Sequence, residues 1–297
     1  MLIYCVTDAK DMRFQLPKGV PVNALITYFD TRTKSISLAK LKASRGWQNL
    51  FLDCGAFVAN MAHKTIDLEK YCQYCIDNMD VIDVFVALDV KGKMQESISN
   101  YHRMKTEFGL DPVPVFPILS GDPGEWRILE QMLEETDYIA LGNLVGQPWP
   151  KKVIKAHLDK VFAINEKYHR RIHLFGYTSR WALLRYPIYS VDSSRWVSEV
   201  GGFLKYAHIE KSAGRLQMLK LRDAPGTLQQ MESSLGLRPS IKGTYYTRVG
   251  RAAKVMHDYG AWLTEVWAAR GIVWDDEAHR RAYPDLMEDL KQEVSDA

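Results

Sequence analysis

Beyond Cys75 this chain has no cysteine, and it has four in all: Cys5, Cys54, Cys72 and Cys75. Four in 297 residues is too few for a disulfide scaffold and fits a reducing compartment. No run of about 18 apolar residues exists, so no membrane span is expected. The opening stretch MLIYCVTDAKDM carries no basic leader and no long apolar run. A signal peptide is therefore not expected, and the expected location is the cytoplasm. Internal repeats, low-complexity tracts and an obvious linker are also missing. The net charge of +3 identifies no partner by itself.

What is present is ordinary globular material, 46% hydrophobic and 25% charged. The length suits one large domain or two small ones. Short apolar runs recur: LIYCV (2–6), ALITYF (24–29), LFLDCGAF (50–57), DVFVALDV (83–90), PVFPIL (114–119), YIALGNL (138–144), IHLFGYT (172–178) and IYSVDSS (188–194). Runs this short, rich in β-branched and aromatic residues, read as buried strands. Helical patterns lie between several of them. TIDLEKYCQYCIDNM starts on a Thr cap, Thr65. SISNYHRMKTEFG, DPGEWRILEQMLEET and PKKVIKAHLDKVFAINEKY follow.

Buried strands alternating with helices imply a parallel sheet. About eight strands predict an α/β fold, a (β/α)8 TIM barrel with a helical C-terminal extension. A doubly wound open sheet is the alternative. Residues 1–200 would form the barrel core carrying the active site. Residues 201–297 would supply the last helical part and an extension packed on it, in one domain overall. GGFLKYAHIEKSAGRLQMLKLR and YYTRVGRAAKVMHDYGAWLTEVWAARG are the helix candidates there.

In a barrel the chemistry sits at the C-terminal strand ends. Asp53, Asp89 and Asp192 fall at such ends. Gathered carboxylates suit chemistry at an anomeric carbon, one as nucleophile and another moving protons. Crowding raises at least one pKa, which separates acid from base. Each aspartate could instead cap the following helix.

Charge is unevenly spread. Residues 205–256 hold ten Lys or Arg against Glu210, Asp223 and Glu232. From Asp275 onward eight acids face Arg280, Arg281 and Lys291. The basic zone would face a polyanion such as nucleic acid or form a solvated surface.

Across roughly residues 50–195, the motifs resemble the tRNA-guanine transglycosylase superfamily, including relatives that place 7-deazaguanine bases in DNA. FLDCGAF resembles the strand with the general acid/base, which would be Asp53. VALDV resembles the strand with the base-reading aspartate, Asp89. FPILSGD puts Ser120 where the family has a base-contacting glutamine. LGNLVGQ resembles the segment whose backbone touches the base, placing Gly142, Asn143 and Gly146 there. HLFGYTS puts Phe175 and Gly176 beside the base plane. SVDSSRW resembles the segment with the nucleophile, Asp192.

The resemblance implies attack by Asp192 on the sugar C1′, proton transfer by Asp53, and pairing of the base edge by Asp89. The target nucleotide must leave its stack to reach such a site. Departures are as informative. The tRNA-acting members carry a structural zinc site of three cysteines and a histidine after the nucleophile, and that site cannot form here. Cys54 stands where serine is common, and Gln147 where glutamate is. No metal and no cofactor are expected. The expected partners are nucleic acid, DNA rather than tRNA, and a free 7-deazaguanine base, with no membrane. Base exchange, hydrolytic excision of a modified base (for example in phage defence), and a non-catalytic binding barrel all stay open.

Arg195 would hold a phosphate or form a surface ion pair. Lys211, Arg215 and Lys220 are spaced to share one helical face and could also meet backbone phosphates. Cys72 and Cys75 form a CxxC pair inside a helical pattern, which reads as a core face. Trp262 and Trp267 read as helix packing, with base stacking as the rival. Among the histidines, His173 opens a strand near the expected site and is the one to watch.

Overall fold

In a computed structural model of the chain, the described residues are 1–7, 22–32, 37–118, 124–144, 149–194, 206–212, 215–220 and 245–295. Eight strands form one parallel sheet: β1 (Leu2–Val6), β2 (Val22–Thr27), β3 (Trp47–Asp53), β4 (Val84–Phe85), β5 (Val115–Pro117), β6 (Tyr138–Gly142), β7 (Arg171–Leu174) and β8 (Ser190–Ser193). Each of the eight overlaps one of the apolar runs read from sequence, although β2, β3 and β7 begin one to three residues before theirs. Their order is β4-β3-β2-β1-β8-β7-β6-β5, so sheet neighbours follow chain order as a (β/α)8 topology requires. The ladder is not continuous from β4 to β5. One isolated parallel bridge, Val86 to Val113, spans them. Its hydrogen bonds run from Val113 N to Phe85 O at 2.9 Å and from Ala87 N to Val113 O at 2.8 Å. The fold class is thus α/β with an eight-stranded parallel sheet.

The helices are α1 (Tyr28–Thr31), α2 (Leu38–Arg45), α3 (Ala56–Met61), α4 (Leu68–Asp77), α5 (Met94–Thr106), α6 (Glu125–Glu135), α7 (Lys151–Asn165) and α8 (Arg180–Leu183). They are followed by α9 (Tyr245–Ala268), α10 (Glu277–Ala282) and α11 (Pro284–Ser295). Among the described residues, no helix is long and apolar enough to cross a membrane.

The chain divides into two compact units. One comprises Leu25–Ala39 and Leu50–Asp192. Its strands are apolar on both faces, with Leu50, Leu52, Phe116, Ile139, Leu141, Ile172, Leu174 and Val191 all buried, as parallel strands covered by helices require. The helix over 68–77 is capped by Asp67, not Thr65. The Asp67 carboxylate accepts from Lys70 N at 3.0 Å, satisfying a donor the helix leaves open. Cys72 and Cys75 are free, buried thiols on its core face.

The other unit comprises Met1–Ala24, Lys40–Asn49 and Ser193–Ala297. There α9 packs on β1. Gly260 permits this approach, because a β-carbon would collide with the Tyr283 hydroxyl, which donates to Met1 O at 3.0 Å. Trp262 and Trp267 are buried and serve packing. Asn49 Nδ2 donates to Asn23 Oδ1 at 2.7 Å and to Ala278 O at 2.9 Å.

The helix expected over 201–222 is not formed at 206–212 or 215–220. The described residues there form two antiparallel strands, β9 (Tyr206–Ser212) and β10 (Arg215–Lys220), pairing Lys211 with Leu216 and Arg215 with Ser212. The helical face expected for Lys211, Arg215 and Lys220 therefore does not exist.

Candidate active site

Side chains alternate between the faces of a strand. Phe51 and Asp53 share one face of β3, His173 and Phe175 lie at matching positions along and just beyond β7, and Ser190 and Asp192 share one face of β8. Register confirms the match, since His173 pairs with Ser190 across β7 and β8. The rings of Phe51 and His173 lie 4.8 Å apart. One face of the unit formed by Leu25–Ala39 and Leu50–Asp192 thus collects the groups below, and every one belongs to that unit.

Asp53 ends β3, where the chain turns at Gly55 into α3. Gly55 has φ 83°, and a β-carbon there would sit 2.6 Å from Phe29 Cβ. Only glycine makes this turn without strain. Burial, then the charges of Asp89 and Asp192, push the Asp53 carboxyl up to about 8. Backbone and thiol hydrogen bonds from Gly55 and Cys54 oppose that rise. Asp53 therefore holds its proton at neutral pH.

Asp89 follows the Val86 bridge. Burial raises its carboxyl too, and a hydrogen bond from Cys54 works against the rise. The Cys54 thiol donates to Asp89 Oδ1 at 3.0 Å. Cys54 is fully buried, and burial with both neighbouring carboxylates pushes its thiol well up. Ligand atoms of Asp53, Cys54 and Asp89 lie within 4.8 Å of one another. These three could hold a metal ion only after Cys54 and Asp53 give up protons that the surroundings favour.

Asp192 is buried at the end of β8. Its Oδ1 accepts from Gly176 N at 2.7 Å and from His173 Nε2 at 3.2 Å. Among the described residues, Oδ2 accepts no hydrogen bond. Gly176, at φ 62°, takes the left-handed conformation that glycine adopts freely. On the other side of the ring, His173 Nδ1 lies 2.7 Å from Ser190 Oγ, which also contacts the Tyr138 hydroxyl. Ser–His–Asp groupings usually point to a serine nucleophile. Ser190 is fully buried and its oxygen is held by Tyr138, so it is not placed to attack a substrate.

Of the three aspartates expected from sequence, Asp53 thus lies within the electrostatic reach of both Asp89 and Asp192. Phe175 lies edge-on to His173 at 4.6 Å, beside Asp192. Gly142 pairs with Pro117, and a β-carbon there would press Val115 Cγ1 at 3.2 Å. Asn143 has φ 65° and donates from Nδ2 to Ile118 O at 3.1 Å, which ties the ends of β5 and β6. Ser120, Gly146, Gln147 and Arg195 lie outside the described residues, as do the side chains of Lys211, Arg215 and Lys220. Sequence reasoning missed Tyr138 and Ser190. The signal for Ser190 was its position two residues before Asp192, on the same strand face.

Comparison with family models, curated proteins and solved structures finds no match to the chain.

Proposed function

We propose that this protein cleaves the N-glycosidic bond of a nucleotide in DNA and passes the sugar to a free 7-deazaguanine base. One observation carries the reading. A carboxylate tethered through one oxygen, Asp192, lies near a carboxyl that stays protonated at neutral pH, Asp53. That is the division of labour that glycosyl transfer demands. The sequential strand order and the Val86–Val113 bridge support a (β/α)8 barrel, whose strand ends carry chemistry.

In the first half, an Asp192 Oδ2 lone pair forms a bond to C1′ as the C1′–N bond breaks. That bonding pair passes to the base nitrogen, which takes the Asp53 proton. In the second half, the nitrogen of the incoming base attacks C1′ and the O–C1′ pair returns to Asp192. The proton from that nitrogen returns to Asp53. Asp89 would read the base edge. DNA is favoured over tRNA because the zinc module of the tRNA-acting enzymes it resembles cannot form and because residues 205–256 are basic.

The test is incubation with DNA, with and without labelled 7-deazaguanine, scored for abasic sites and label uptake. Uptake that disappears in Asp192→Ala, with the circular dichroism unchanged, supports exchange. Abasic sites without uptake replace exchange by hydrolysis. Neither product, or full turnover in Asp192→Ala, overturns the reading.

A further inference from the structure

We infer that Tyr138, Ser190 and His173 form a one-way hydrogen-bond chain that positions Asp192 and steadies its carboxylate as a leaving group. The inference rests on Asp192 being the nucleophile.

Donor logic sets the sense of the chain. An ionised carboxylate only accepts, so His173 Nε2 carries the proton that bridges 3.2 Å to Asp192 Oδ1. A neutral imidazole then has a bare Nδ1, which needs a donor. Ser190 Oγ is 2.7 Å away and supplies its hydrogen. The serine oxygen in turn accepts from the Tyr138 hydroxyl. Each proton along Tyr138, Ser190 and His173 therefore points toward Asp192. His173 and Ser190 have no solvent exposure, so water does not compete for these bonds. Phe51 at 4.8 Å and Phe175 at 4.6 Å hold the ring plane.

The chain acts differently on the two halves of the reaction. When Oδ2 bonds to C1′, Asp192 loses its negative charge and the hydrogen bonds to Oδ1 weaken. When the O–C1′ bond breaks, the pair returns to Asp192 and the same donors stabilise it. Hydrogen bonds to charged groups are roughly twice as strong as neutral ones. His173 is thus a positioning residue whose loss slows breakdown of the glycosyl-enzyme more than its formation.

The experiment has a kinetic arm and a spectroscopic arm. His173→Phe keeps the aromatic packing and removes the donor. It should slow breakdown by about 10- to 100-fold, the worth of a hydrogen bond to a charged group, and a covalent protein–DNA adduct should accumulate. His173→Gln restores an N–H toward Asp192 and should recover part of the rate. Ser190→Ala and Tyr138→Phe should have smaller effects that vanish in the His173→Phe background. Equal loss of both half-reactions, no rescue by Gln, or additive effects would overturn the proposal. Independently of turnover, 15N spectra of the wild-type ring should show Nε2 protonated and Nδ1 bare. Ser190→Ala should mix the tautomers. A proton on Nδ1 alone in the wild type refutes the chain. An inactive wild type with the expected tautomer instead faults the glycosyl reading and leaves the chain intact.

Discussion

The Cys54 thiol donates to Asp89 Oδ1 at 3.0 Å, so two residues 35 apart in sequence share one proton at the strand ends. Cys54 immediately follows Asp53, so the same thiol neighbours both carboxyls. A buried thiol between two carboxyls stays in its neutral form.

Thiol chemistry follows from this. All four cysteines are buried and free, and burial pushes each thiol up. At pH 8 the native protein should give no rapid reaction with a thiol-specific chromogenic disulfide. All four should react once it is denatured. A fast-reacting thiol in the folded protein would contradict the burial of this cluster.

Stability should depend on pH through Asp53. Its folded-state value, about 8, lies far above an ordinary carboxylate. The contribution is fully present below about pH 4 and is lost as pH rises through 8. Asp53→Asn removes this dependence, so the variant should gain on the wild type steadily between pH 4 and 8. Urea midpoints of both proteins across that range measure it, and a constant difference would refute the raised value. Glycosidic cleavage, if Asp53 is the acid, should decline above pH 8 in parallel.

Gly55→Ala tests the turn that delivers Asp53. The new methyl meets Phe29 Cβ at 2.6 Å, and φ 83° strains any β-carbon. Overpacking and left-handed strain together should cost roughly 2–4 kcal/mol. Equilibrium denaturation reads this directly.

The cap at Asp67 is a smaller test. Asp67→Ala leaves Lys70 N without its partner at the start of α4 and should cost about 1 kcal/mol. Thr65→Ala, the cap suggested by sequence, should cost little by comparison.

How far the sequence reached follows from what each signal encodes. Strands β1 to β8 were legible because apolar runs between polar breaks reflect burial on both faces. Asp53, Asp89 and Asp192 were legible because strand ends are where such runs stop. The partners of Asp192 were not. Tyr138 reaches Ser190 across 52 residues, and only the pairing register of β6, β7 and β8 brings them together. The antiparallel pair β9 and β10 reads as a helix in sequence because its charged residues recur at spacings that also suit a helix. Alternation around Leu216 and Met218 was the stronger, period-two cue.

The single bridge between Val86 and Val113 gives the site unequal walls. From β5 through β8 each strand pairs with the next, so Asp192 and its donors lie on strands tied by continuous parallel ladders. Asp89 sits three residues beyond Val86, where the sheet is not closed by a ladder and two backbone hydrogen bonds reach Val113. Two backbone hydrogen bonds join the sheet on the Asp89 side, whereas full parallel ladders carry Asp192 and His173 on the other.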